Sequence, residues 1–340
     1  MITLSVLVIS HNQAHLIGRC LDSILSQKLN VDYEIVISDD ASTDATWEVI
    51  LDYQKKYPNI IKPFQINSSD YNPDITSDRC AINKANVYKH AKGKYVVNID
   101  ADDYLCDLNV YQNQIDLLES NLGCSICIQN IVFQKDGEPN DFSKLWFVQG
   151  TLLTGNIVNA VEFFNRRMLI SNPAIMMRRD KSLDPYKRYG LLYDDFVITT
   201  HHLTLGNAIC LNVAGYVYVQ YRHSIWNTVV NSSYLSVRSM AAMNILLSFF
   251  PQFRYEILYS NIIIYIDCLK HILQNREIIQ IEEGNRRYII RLDSNFLNNI
   301  INCKSLILQN LIVKIYLLLF LIVSKIKLRL LTRLLYYIIK

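Results

Sequence analysis

Carboxylates crowd the ends of several apolar segments in this chain. Ser10-His11-Asn12 follows one such segment, Asp39-Asp40-Ala-Ser-Thr-Asp44 a second, and Asp100-Ala-Asp-Asp103 a third. Three carboxylates in four positions repel one another, and a cation relieves that repulsion. Hard oxygen donors of this kind suit Mg²⁺ or Mn²⁺, which often take one or two carboxylates and complete the shell with phosphate oxygens. A metal so held neutralises a departing diphosphate. An acidic side chain at a strand end can also accept hydrogen bonds from a ribose or a base. Asp44 reads differently, as the cap of a following helix.

Those runs must be brought together by the segments between them. Residues 2–9 are β-branched and apolar, as a buried strand requires. Residues 13–27 space Leu16, Cys20 and Ile24 as a helix does. Strands are predicted over 33–38, 60–65 and 94–99. Helices are predicted from Asp44 to about residue 57, with Glu48 in the first turn, and over 77–91 with Ser77 as cap. Strand–helix alternation predicts a mostly parallel α/β sheet covered on both faces, with ligands at the carboxyl ends of its strands. A helix over 108–118, a strand over 124–133 and a helix over 191–206 follow. Two closing strands, 208–213 and 216–221, end the region. His201 and His202 read as surface residues of their helix. From about residue 233 the pattern is helical, over 233–250 and 253–274.

Composition removes several classes. With 51% hydrophobic and 19% charged residues the chain can build a core. Ten glycines, none in a G-x-G-x-x-G or G-x-x-x-x-G-K-[ST] pattern, argue against Rossmann or Walker cofactor loops. Of eight cysteines only Cys124 and Cys127 form a C-x-x-C, and no second pair completes a zinc site. Buried free thiols are the reading, and reduced thiols with no secretory leader suit a cytoplasmic chain.

The net charge of +3 is unevenly placed: after Asp293 there are seven basic residues and no acidic one, while the first 293 residues carry 27 basic and 31 acidic side chains. A general nucleic-acid binder would be basic on its folded part instead. The stretch 304–340 is almost all Leu, Ile, Val, Tyr and Phe interrupted by Lys314, Lys325, Lys327, Arg329 and Arg333. A spanning helix needs ~20 apolar residues, and Lys314 falls in the middle of the best window. An interfacial helix fits better, its basic residues drawn to anionic lipid on the inner face of the cytoplasmic membrane. A span, or packing on the body or a second subunit, are the other readings.

Four motifs in fixed order resemble family-2 glycosyltransferases over roughly the first 105 residues. They are Ser5-Val-Leu-Val-Ile-Ser-His-Asn12, Glu34-Ile-Val-Ile-Ser-Asp-Asp-Ala-Ser-Thr-Asp44, Ala81-Ile-Asn-Lys-Ala85 and Gly93-Lys-Tyr-Val-Val-Asn-Ile-Asp-Ala-Asp-Asp103. Weaker likeness continues through Ser171-Asn-Pro-Ala-Ile-Met-Met-Arg-Arg179, Tyr193-Asp-Asp195 and Tyr221-Arg-His223. The resemblance implies a GT-A nucleotide-sugar-binding fold over 1–228, a helical region over 229–303 and the basic tail over 304–340. It implies an inverting, metal-dependent transfer from a nucleotide-sugar, UDP-linked by family habit, to a hydroxyl of a glycan or lipid-linked acceptor, in surface polysaccharide synthesis.

Carried over by position, Ile9, His11 and Asn12 would line the nucleotide pocket. Asp40, with Asp39, would contact the base, and Asn83 would back the diphosphate. Asp100 and Asp102 would lie on the donor side, Asp102 holding ribose or metal-bound water, and Asp103 would be the main ligand of Mn²⁺ or Mg²⁺. Asp195 would be the general base. Asp194 stands where the family has Glu, and Arg222 and His223 would approach the diphosphate. Some positions depart. Ala41 replaces a glycine, which implies that no positive φ is needed there. Ile82 replaces an arginine, which removes that cation from the phosphate. A haloacid-dehalogenase-type phosphatase also uses Asp-x-Asp, but on its first strand, with Thr or Val where this chain has Tyr104. A non-catalytic membrane scaffold would have no use for Asp102, Asp103 and Asp195.

Overall fold

The computed structural model describes residues 2–66, 76–145, 153–165, 174–190, 195–221, 249–253, 279–283 and 286–290. Its first half alternates as the sequence predicts: β1 (Leu4–Ser10), α1 (Ile17–Leu25), β2 (Tyr33–Asp39), α2 (Thr46–Lys56), β3 (Ile61–Gln65), α3 (Thr76–His90) and β4 (Tyr95–Asp100). The four strands pair in parallel in the order β3-β2-β1-β4. The continuous apolar runs are explained by burial on both faces: Val6, Leu7 and Val8, Ile35 to Ile37, and Val96 and Val97 are all fully buried. Helix α1 covers the sheet with Ile17, Cys20, Leu21 and Ile24, one stripe at helical spacing. Gly93 lets β4 start hard against β1, because a Cβ there would lie 2.5 Å from the Ser5 backbone nitrogen.

The chain leaves β1 toward β2 and β3, then crosses back to β4 on the other side of β1. That reversal is a topological switch point, where ligands of such sheets bind. Register sets the level of the groups around it: Ser10 lies opposite Asp39, and Ile9 opposite Asp100.

The second half extends the same sheet. Its elements are β5 (Tyr104–Leu105), α4 (Val110–Ser120), β6 (Cys124–Lys135), β7 (Asp141–Leu145), β8 (Ile157–Val158), α5 (Ala160–Asn165), β9 (Ile175–Arg178), α6 (Pro185–Tyr189), α7 (Asp195–Leu203) and β10 (Asn207–Gln220). The long β6–β10 ladder is parallel, while β9 runs antiparallel between β4 and β6, and β5 antiparallel to β10. The two closing strands expected from sequence are one strand, β10, irregular at Leu211/Ala214 and Ala214/Tyr216. Cys124 and Cys127 are buried free thiols.

His201 and His202 overturn their surface reading, being 2% and 0% exposed. Every residue of α7 from Val197 to Leu203 is buried, so the helix has no solvent face there to carry them. The pair is held by polar partners instead. His201 bonds Tyr189 Oη at 2.7 Å and Asp180 Oδ2 at 3.0 Å, and His202 Nδ1 donates to the Ile198 carbonyl at 2.8 Å.

Within the span read as helical, β11 (Ile279–Glu283) and β12 (Arg286–Ile290) pair as a separate two-stranded sheet. Apart from 249–253, the rest of 229–303, with Asp194, Arg222, His223 and the tail 304–340, lies outside the described residues. The chain divides into two compact units, one of Met1–His271 with Ile281–Arg287 and one of Ile272–Gln280 with Tyr288–Lys340. The large sheet belongs to the first. Among the described residues no helix is long and apolar enough to cross a membrane.

Candidate active site

The loops after β1 and β2 are tied into one wall. Asn12 takes φ +52°, and its Oδ1 accepts from the backbone N–H groups of Thr43 (2.8 Å) and Asp44 (3.4 Å). His11 Nδ1 donates to the Asp40 carbonyl at 2.7 Å, which leaves Nε2 to accept from Asn12 Nδ2 at 3.1 Å. Ala41 takes φ +45°, so the inference drawn from its lacking a glycine is wrong. The turn needs the left-handed conformation because Asp39 folds back on it, accepting from the Ser42 backbone N–H at 3.0 Å and the Ser42 hydroxyl at 2.5 Å.

The paired aspartates divide their work. Asp39 is fully buried, and it also accepts from Ser10 Oγ (3.0 Å) and Gln65 Nε2 (3.3 Å). Asp39 therefore holds the wall together. Asp40 is bound by the guanidinium of Arg79, 2.6 Å away on α3. The family's arginine is missing at Ile82, but Arg79 lies one helical turn earlier and brings a cation to the same wall. Asn83 Nδ2 donates to the Ser10 carbonyl at 3.4 Å, and its buried Oδ1 has no partner among the described residues.

Across the switch point, β4 ends in the three carboxylates. Burial pushes Asp100 up to about 7, with Lys84 opposing and Asp102 and Asp195 adding to the rise. Burial also raises Asp102, against the donors of Gln13 and the charge of Arg19. Asp103, expected as the main metal ligand, is enclosed in this structure. It is 1% exposed, accepts from Tyr216 Oη and takes the Val219 backbone N–H at 2.8 Å. Both of its oxygens bond β10, while Asp100 and Asp102 are partly exposed. Burial is the first cause of the raised pKa values at both, and Lys84 and Arg19 work against the rises. A hard divalent cation would favour the ionised carboxylates further. Among the described residues no three His, Cys, Asp or Glu side chains are grouped to hold a metal alone. Such a site would need phosphate oxygens to complete it.

Asp195 opens α7 and reaches this cluster through Lys84, whose ammonium donates to Asp195 Oδ1. The Lys84 side chain is 13% exposed, and Asp195 and Asp100 raise its pKa against its burial. Arg19, from α1, closes the rim. It donates to the Asp102 carbonyl (2.9 Å) and Tyr221 Oη (2.8 Å), with its guanidinium 4.4 Å from the Tyr104 ring centre. Arg19, Arg79, Lys84 and Tyr216 escape the sequence reading because each meets a partner 39 to 202 positions away. Only Lys84 gave a signal, as the charged neighbour of Asn83 in the third motif.

A doubly wound sheet with carboxylates gathered at its switch point defines an α/β protein of the kind that binds ligands there. Its fold is shared with Staphylococcus aureus TarS in complex with UDP-GlcNAc, at TM-score 0.55 and 18% identity, covering 76% of this chain and 72% of that one. Glycosyl transferase family 2 matches residues 5–182, more than half of the sequence, and the chain belongs to that family. An uncharacterised Mycobacterium tuberculosis protein is 24% identical over 227 residues, 66% of this chain and 61% of its own length. The chain thus spans about three-fifths of that relative. An Escherichia coli UDP-Glc:α-D-GlcNAc-diphosphoundecaprenol β-1,3-glucosyltransferase is 33% identical over 119 residues, 34% of this chain and 41% of that one.

Proposed function

We propose that the protein is an inverting glycosyltransferase that moves a sugar from a UDP-sugar to a hydroxyl of a glycan or lipid-linked acceptor during surface polysaccharide synthesis. One observation carries the reading: the wall of His11, Asn12 and Asp40, the pair Asp100 and Asp102, and Asp195 meet at the switch point between β1 and β4. The E. coli relative's use of UDP-glucose and a diphosphoundecaprenol-linked acceptor favours this donor and acceptor class.

The first wall takes the nucleotide, with His11 offering a half-exposed ring for the base. Asp195 accepts the proton of the acceptor hydroxyl as that oxygen attacks the anomeric carbon, and the bond to the diphosphate breaks on the opposite side. Asp102, with Asp100 beside it, would hold Mn²⁺ or Mg²⁺, which supplies charge neutralisation of the leaving diphosphate. The tail 304–340 would bring the site to an anionic membrane face.

Titration of UDP with and without Mn²⁺, against wild type and Asp102→Ala, tests the reading. Metal-enhanced binding that the substitution weakens supports it. Phosphate-ester hydrolysis without UDP binding would favour a phosphatase, and neither activity a scaffold.

A further inference from the structure

We propose that Arg19 is a positioning residue, which fixes the main chain of Asp102 against the end of β10 and so sets the Asp102 carboxylate for a cation bound with the donor. This rests on the glycosyltransferase reading above and adds a residue to which the sequence assigned no role.

The turn after β4 directs its N–H groups inward. Ala101 N–H donates to the Ile9 carbonyl at 3.1 Å, and Asp103 N–H to the Asp100 carbonyl at 3.0 Å. Two neighbours on α1 hold carbonyls of the same turn. Cys20 Sγ donates to that of Asp100 at 3.7 Å, and Arg19 Nη2 to that of Asp102 at 2.9 Å. The second hydrogen of the same Arg19 nitrogen goes to Tyr221 Oη at 2.8 Å, one residue past β10. One nitrogen thus bridges the turn and the strand end.

Arg19 is exposed, and an exposed side chain left to itself samples many rotamers. Tyr104 restricts it, with its ring centre 4.4 Å from the guanidinium, within cation–π range. That ring is itself anchored, because its hydroxyl donates to Asn140 Oδ1 at 2.9 Å and lies 3.2 Å from Gln134 Oε1. β10 thereby orients both acidic residues of the turn, Asp103 through its own carboxylate and Asp102 through Arg19. Groups that orient a metal ligand change metal affinity by about ten- to hundredfold. Arg19 holds main chain at an exposed rim, which places it at the low end.

Arg19→Met keeps an unbranched stem beside Tyr104 and removes both donors. In calorimetric titrations its Kd for UDP with Mn²⁺ present is expected to rise about tenfold. Its Kd without Mn²⁺ and its melting temperature should stay at wild-type values. Arg19→Lys should recover part of the loss, since one nitrogen serves both acceptors and an ammonium has three donors. Tyr221→Phe leaves the charge in place and removes one anchor. It should weaken Mn²⁺-dependent binding by itself and add nothing once Arg19 is replaced by Met. Unchanged or tighter Mn²⁺-dependent binding in Arg19→Met overturns the proposal. Equal losses with and without Mn²⁺ overturn it too, because they mark plain attraction of a cation for UDP, and a lowered melting temperature marks a structural role. Additive losses in the double variant would remove the bridge. If wild type binds UDP no better with Mn²⁺ than without, the underlying metal reading fails, and the proposal with it.

Discussion

The ammonium of Lys84 donates to Oδ1 of Asp195, joining α3 to the first turn of α7 across 111 positions. The contact gives the candidate base a fixed orientation and sets a cation between it and Asp100. Lys84→Met should leave Asp195 unpaired in a mostly enclosed site. Breaking a fully buried pair costs about 3–5 kcal/mol, and the partial exposure of Asp195 reduces this to about 1–3 kcal/mol. Lys84→Met combined with Asp195→Asn should recover most of that loss, since no orphan charge remains. Urea unfolding of the two single variants and the double measures the coupling. Additive losses would mean that the pair does not form in the native protein.

Asp102 and Asp103 are adjacent in sequence and differ in surroundings, the first partly exposed and the second enclosed by β10. Asp103→Ala strands the Tyr216 hydroxyl and the Val219 N–H, both buried, and should cost about 2–6 kcal/mol at 1–3 kcal/mol for each orphan. Asp102→Ala should leave the unfolding midpoint near that of wild type and remove Mn²⁺-dependent UDP binding. Denaturant melts and calorimetric UDP titrations on the same two variants separate the roles. A stable Asp103→Ala that has lost metal dependence would restore Asp103 as the ligand.

That reversal marks how far the sequence can be read. Strand ends carrying Ser10, Asp39 and Asp100 are legible because buried parallel strands are continuous apolar runs and polar residues abruptly end them. Which carboxylate of a triplet faces the cleft is not legible. It depends on β10, more than a hundred residues later, arriving to claim Asp103. The same limit hides Arg79 beside Asp40 and buries His201 and His202, whose helix is enclosed on all sides by tertiary packing rather than by its own pattern.

Ala41 offers a local test. Its φ of +45° lies in the left-handed region, which costs a residue with a Cβ about 1–2 kcal/mol. Ala41→Gly removes that cost and returns part of it as added freedom of the unfolded chain. The net expectation is a gain of up to ~1 kcal/mol, seen as a higher melting temperature. Ala41→Val should lose stability, because a β-branched side chain suits this conformation worse. A lower melting temperature for Ala41→Gly would show that the turn relaxes out of the left-handed region.

His202 ties stability to pH. Burial, with the neighbouring His201 adding to it, pushes its pKa down to about 4. The unfolded chain titrates near 6.5. Between those values the unfolded state carries a proton that the folded state lacks, so stability falls as pH falls. The contribution is complete above about pH 6.5 and is lost progressively toward pH 4, to a total of up to about 3 kcal/mol. His201 is also lowered, by burial against the pull of Asp180, and acts in the same direction. His202→Asn keeps a donor for the Ile198 carbonyl and removes the titrating ring. Urea midpoints measured from pH 7.5 to pH 4 should fall less steeply for the variant than for wild type. Parallel curves would mean that His202 takes up its proton in the folded state as readily as in the unfolded one, and would contradict its enclosure in α7.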